Sequence, residues 1–230
     1  MRLLAATLLT IVATATTTIS AQHESYPRGR VIGSVEIPAL HDAINGDLPP
    51  DRPAALSLVT LYIEPTEHTA VAAVVSDCSE LTSLEHGYEQ MSAAVYEIRT
   101  LDDRVWYRVH YTTSRSYGDG WISNRETSTY HPLADMLVHG LTFLTDSWDR
   151  AVFAAPRANS DKRTIRVTSE RPNLRVVATA GDAEHLWLHV ELLEGSVCEG
   201  VEPPAIATSG WIPAFSWDGQ LTAWHYARGC

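Results

Sequence analysis

The chain has 230 residues, with 28 acidic against 17 basic side chains, a formal net charge of -11 and 45% hydrophobic residues. That balance describes a globular protein long enough for two modest cores, and its acidity makes nucleic acid a poor partner. Lys162 is the only lysine, which argues against a lysine-dependent mechanism.

At the N-terminus, Arg2 precedes an apolar, threonine-rich run over residues 3–19 that ends in Ser20-Ala21. This pattern predicts a signal peptide over residues 1–21 and a mature chain starting at Gln22. The threonines dilute the run, which is short for a membrane span of ~20 residues. No Cys follows it, which argues against a lipoprotein signal. The expectation is export and release, to the periplasm or the extracellular medium. Residues 22–54 read as a lead-in segment, stiffened by Pro49, Pro50 and Pro53.

Downstream, period-two patterns dominate and predict an all-β protein. Strands are expected over 71–75, 93–99, 164–168 and 174–180. Val105, Tyr107, Val109 and Tyr111 alternate with Trp106, Arg108 and His110, which assigns the first set to one face of a strand. Asp102-Asp103 reads as a solvated turn, 132–139 as a short turn or helix, and 156–161 as a surface loop. Leu186, Leu188, Val190 and Leu192 alternate with Trp187, His189 and Glu191 and repeat the earlier pattern.

That second occurrence is part of a duplication. Trp106-Tyr107-Arg108-Val109 followed by Gly120-Trp121-Ile122 returns as Trp187-Leu188-His189-Val190 followed by Gly210-Trp211-Ile212. Ala55-Leu56-Ser57-Leu58-Val59-Thr60 matches Gly140-Leu141-Thr142-Phe143-Leu144-Thr145 in its order of small, apolar and hydroxyl residues. A period this long marks a duplicated domain rather than a solenoid. The predicted units are 55–135 and 140–230. Trp106 and Trp187 fall opposite the aliphatic core set, so each is either covered by a loop or offered to a ligand. Cover is the commoner fate of one tryptophan, whereas the same placement twice favours a ligand. Trp121 and Trp211 read as packing residues.

With these motifs the chain resembles the bacterial SH3-like (SH3b) domains of exported and cell-envelope proteins. The resemblance implies two tandem small β-barrels that bind and do not catalyse. Trp106 and Trp187 match the tryptophan that lines the groove of peptide-binding SH3 domains. Those domains carry a Pro after the Gly-aromatic-aliphatic triplet and a Tyr three residues later. The second copy keeps Pro213 but has Ser216 at the Tyr position, flanked by Phe215 and Trp217, and the first has Ser123 and Glu126. The second copy is therefore the better candidate for binding a peptide, a cell-wall glycan or peptide, or an envelope protein. Trp187, Trp211, Pro213, Phe215 and Trp217 would supply its surface. Asp146 and Asp149, flanking Trp148, form either an acidic rim like the RT loop of SH3 domains or a plain soluble surface.

Of the three cysteines, Cys198 lies in the loop that lengthens the second copy and Cys230 is the final residue. A disulfide between them is expected in an exported protein and would contribute roughly 3 to 4 kcal/mol. The alternative is three free buried thiols. Cys78 reads as a small buried hydrophobe. His185 and His189 have the spacing of a helical zinc pair, but on a strand they stand about 13 Å apart. Neither a metal nor a cofactor is expected. No Gly-x-Ser-x-Gly, phosphate loop or dinucleotide fingerprint occurs, so a non-catalytic binding role is expected. Alternatives are an assembly protein with its barrels packed together, or an unrecognised cell-wall hydrolase.

Overall fold

The computed structural model describes residues 29–40, 58–87, 90–166, 172–183, 185–195 and 204–226. The expected signal peptide, Cys198 and Cys230 lie outside these residues.

Among the described residues the protein is predominantly β, with little helix. The first copy contains β1 (Gly33–Val35), β2 (Val59–Tyr62), β3 (Val71–Val75), β4 (Ser83–Gly87) and β5 (Gln90–Val95). It continues with β6 (Glu97–Leu101), β7 (Arg104–Thr112), β8 (Tyr117–Ser123) and β9 (Tyr130–Pro132). Helix α1 (Leu133–His139) follows. The second copy has β10 (Thr142–Leu144), β11 (Ala151–Phe153), β12 (Lys162–Thr164), β13 (Asn173–Ala180), β14 (Trp187–Leu193), β15 (Ile206–Pro213) and β16 (Ala223–His225). No described helix is long and apolar enough to cross a membrane.

The strands form three antiparallel sheets, in the orders β4-β5-β1-β9, β3-β2-β8-β7-β6 and β12-β11-β15-β14-β13-β10-β16. None of these sheets closes on itself among the described residues. Most strands recur in the second copy, although β4 has no counterpart there. β1 lies between β5 and β9 as β10 lies between β13 and β16. The β2–β3 hairpin joins β8 at Tyr62 opposite Trp121, and β11–β12 joins β15 at Phe153 opposite Trp211. In the second copy β13 runs through a bulge between Val176 and Ala178. In the first copy the same path is divided at Tyr96 into β5 and β6. Tyr96 N–H still donates to the Arg108 carbonyl at 2.9 Å, so the strand bends there as bulged strands do.

This ladder aligns the starts of the copies differently from the match of residues 55–60 with 140–145. The counterpart of β10 is β1, which lies inside the 22–54 segment read as a lead-in, and the counterpart of β2 is β11. Short runs of small, apolar and hydroxyl residues suit any half-buried strand, so they do not distinguish one strand from another. The two repeated glycines confirm the ladder. A Cβ at Gly120 would sit 2.6 Å from Leu61 Cβ, and one at Gly210 would sit 2.9 Å from Val152 Cβ. Each Gly-Trp-Ile element needs glycine because the neighbouring hairpin crosses close above it.

The alternating positions pack as expected. Tyr107, Val109 and Tyr111 enter one core with Val59, Leu61, Val75 and Ile122. Leu186, Leu188, Val190 and Leu192 enter the other with Phe143, Ile212, Leu221 and Trp224. Each such buried aliphatic contributes about 1.5–3 kcal/mol of burial. Helix α1 starts after Pro132, the extended residue at its N-cap, and buries Leu133, Met136 and Leu137, the spacing of one helical face. These three join Val31, Leu84 and Ala94 in the second core, so the two copies share an apolar joint. Asp102 and Asp103 form the two-residue β6–β7 turn with positive φ values of 49° and 60°, which matches the twist of a hairpin.

Candidate functional site

Directly opposed residues of an antiparallel pair share a face. Trp187 of β14 faces Pro213 of β15, and His189 faces Trp211. The rings of His189 and Trp211 stack at 4.9 Å. Phe153 of β11 meets Trp187 edge to face, with centroids 5.3 Å apart at 85°, a favourable aromatic geometry. Phe153, Trp187, Trp211, His189 and Pro213 therefore make one aromatic face on the second copy. Trp187, Trp211 and Pro213 are half-buried. The Lys162 ammonium lies 5.5 Å from the Phe153 ring centre and pairs with Asp149 at 2.7 Å, so the charge of Asp149, read as either an acidic rim or a soluble surface, is paired. Three of the expected ligand residues come together here. His189 joins them as the alternation of β14 implies, and Phe153 joins through strand pairing with Trp211, which no local motif announces.

The other two expected residues of the second copy separate. Phe215 is buried, with the Arg30 guanidinium 5.0 Å from its ring centre. Trp217 is 98% exposed at the tip of a tight hairpin over 215–221. Ser216 N–H donates to the Gln220 carbonyl at 2.8 Å, and Gly219, with φ +78°, donates back to the Ser216 carbonyl at 3.0 Å. The Ser216 hydroxyl donates to Asp218 and holds that carboxyl below its usual range. A tryptophan so exposed on a hydrogen-bonded turn contributes nothing to the core and is presented to solvent.

The first copy has the same device, closed. Trp106 meets Tyr62 edge to face at 5.9 Å and 87°, but it is only 2% exposed, so the expectation that it touches a ligand does not fit its position. Trp121 is also buried, with the Arg99 guanidinium 5.1 Å from its ring centre. The loop after β2 is tied down by Glu67, which pairs with Arg104 at 2.6 Å and with Arg125 at 3.8 Å. The Arg104 hydrogen bond leads the causes that hold the Glu67 carboxyl below its usual range. Burial, then the charge of Glu67, pushes neighbouring Glu126 up. The ladder places Ala158, His185 and Phe215 where the first copy has Glu67, Arg104 and Arg125. The second copy therefore lacks this clamp.

Comparison with protein-family models, with curated proteins and with solved structures returned no match.

Cys78 is buried, and its thiol is pushed up to about 11 by burial and then by Asp77, which makes it a poor nucleophile at neutral pH. His185 and His189 do not share a site: His185 lies beside Asp182 at 3.2 Å, and His189 stacks on Trp211. Three other residues do converge. Glu36, His86 and His131 bring their ligand atoms within 4.8 Å of one another. They come from after β1, from β4 and from β9, a separation in sequence that hides the group from any local spacing rule.

Proposed function

We propose that the protein is an exported, non-catalytic binding protein of two SH3-like units, and that the aromatic face of the second unit takes a peptide or cell-wall glycan of the envelope. Export rests on the predicted signal peptide over residues 1–21. The SH3-like reading is supported by strand order. The first strand of the second copy lies between its last strand and the start of bent β13, and β13, β14 and β15 then follow as a meander, with β11–β12 in the place of an RT-loop hairpin. The observation that carries the binding role is the contrast between the clamped Trp106 and the unclamped Trp187, which has Phe153, Pro213 and Trp211 on its face. Such a face binds by stacking and apolar contact.

The test is co-sedimentation of the mature protein with purified peptidoglycan, in parallel with immobilised proline-rich peptide. Trp187→Ala is expected to lose retention while keeping its far-UV circular dichroism, and Trp217→Ala serves as a second variant unlinked to the core. Full retention by a folded Trp187→Ala protein overturns the reading. An assembly role is the second reading, favoured by the apolar joint of Val31, Leu84 and Ala94 with α1. That joint includes neither Trp106 nor Trp187. Absence of binding to either probe, with mutation of the joint separating the copies, would favour it.

A further inference from the structure

We propose that Glu36, His86 and His131 form a binding site for a divalent transition metal of the zinc class, on the first copy and independent of the aromatic face. Glu36 Oε1 lies 2.8 Å from His131 Nε2 and 3.6 Å from His86 Nε2. A tetrahedral zinc with bonds of 2.0–2.2 Å holds its nitrogen and oxygen ligands about 3.4 Å apart. The two Glu36 edges bracket that spacing, and all three ligand atoms lie within 4.8 Å of one another. The His86 side chain is 8% exposed, and those of Glu36 and His131 are 29% and 28% exposed. The group is shielded yet reachable.

The surrounding hydrogen bonds orient the ligands. Ser92, buried in β5, has its hydroxyl 3.5 Å from the Leu84 carbonyl and 3.1 Å from His86 Nδ1. A Ser92 hydroxyl donating to Leu84 would accept from His86 Nδ1, the tautomer that has Nε2 as the acceptor on the Glu36 side. This is the outer-shell arrangement that metal-binding histidines use to set their tautomer. The Ser128 hydroxyl donates to Glu36 Oε2 at 2.8 Å, leaving Oε1 for the two imidazoles. The two imidazole rings stack 4.2 Å apart at 23° with both Nε2 atoms near Glu36 Oε1, and the rings must tilt towards each other for their in-plane lone pairs to meet one ion.

The backbone supports the convergence. Ser34 pairs with His131 across β1 and β9. That ladder continues past the strand end, since Glu36 N–H donates to the Thr129 carbonyl and Ser128 N–H donates to the Glu36 carbonyl, both at 3.0 Å. On the other side of β1, β5 links to β4, which carries His86. A metal here would staple three strands of one sheet. Two imidazoles and one carboxylate suit zinc and its neighbours, whereas calcium and magnesium prefer all-oxygen sites. Three protein ligands leave a fourth position for water.

The experiment is calorimetric titration of the EDTA-stripped full mature chain with Zn2+ and, separately, Ca2+. One equivalent of Zn2+ is expected to bind, with no matching Ca2+ response. His86→Ala and Glu36→Gln, each checked by circular dichroism, are expected to abolish that binding. Ser92→Ala is expected to weaken it by ~10–100-fold. An independent reading uses the unaltered chain: the imidazole 15N resonances of His86 and His131 should move together on adding Zn2+. No Zn2+ binding, binding unchanged in a folded His86→Ala protein, or 15N shifts confined to other histidines each overturn the proposal.

Discussion

Glu67 and Arg104 form an ion pair at 2.6 Å that ties the β2–β3 loop to the start of the strand carrying Trp106, and the second copy has Ala158 and His185 in those places. One substitution pattern therefore accompanies the difference between a buried and a half-buried tryptophan at equivalent positions. If the pair acts as a clamp, Glu67→Ala should free the loop and make Trp106 accessible to acrylamide quenching, with little change in the denaturation midpoint because exposed ion pairs contribute little. Unchanged quenching would mean that packing against Tyr62 alone covers Trp106.

The same contrast sets unequal costs for the two tryptophans. Trp106→Ala removes a fully buried ring and should destabilise the protein by about 3–5 kcal/mol. Trp187→Ala removes a half-buried ring and its contact with Phe153, an aromatic pair contributing about 0.5–1.5 kcal/mol beyond area. Urea denaturation of both variants measures the difference. Equal losses would remove the distinction between a structural and a presented tryptophan.

Gly120 and Gly210 are expected to resist substitution for one shared reason. A methyl group at Gly120 meets Leu61 Cβ at 2.6 Å, and one at Gly210 meets Val152 Cβ at 2.9 Å. Overpacking of this kind costs typically 1–3 kcal/mol. Gly120→Ala combined with Leu61→Gly should cost less than the sum of the two separate losses, which a double-mutant cycle detects. Strict additivity would show that the hairpin does not press on this glycine.

His225 gives a pH dependence with a definite sign. Burial, followed by the nearby His86, pushes its imidazole down to about 4 from an ordinary 6.5, against a smaller opposing effect of Glu85. The folded chain therefore refuses a proton that the unfolded chain accepts between these values. Stability contributed by the neutral ring is complete above pH 6.5 and is lost as the pH falls towards 4, by up to ~3 kcal/mol. Equilibrium denaturation at a series of pH values should show this slope, and His225→Leu should flatten it. A slope unchanged in that variant would assign the acid sensitivity to other groups.

Much of the local architecture was legible in the residues themselves. The strict alternation of Leu186, Leu188, Val190 and Leu192 with Trp187, His189 and Glu191 assigned the faces of β14 correctly, because a strand's side chains reverse with each residue whatever lies beyond it. Residues 132–139 read as a short turn or helix, and a helix forms over Leu133–His139; the repeated Gly-Trp-Ile pointed to the duplication.

What alternation leaves open is which distant segment covers a face. Trp106 and Trp187 occupy the same place in the same motif, yet one is sealed and the other presented, and the clamp residues that differ lie some forty residues from Trp106 in the case of Glu67. Phe215 stood in an aromatic cluster of the sequence but turned into the core, while Trp217, two residues on, turned out. Glu36, His86 and His131 share no spacing at all. Only the ladder through β1 brings them together, because hydrogen bonding between strands makes neighbours of residues that the chain keeps far apart.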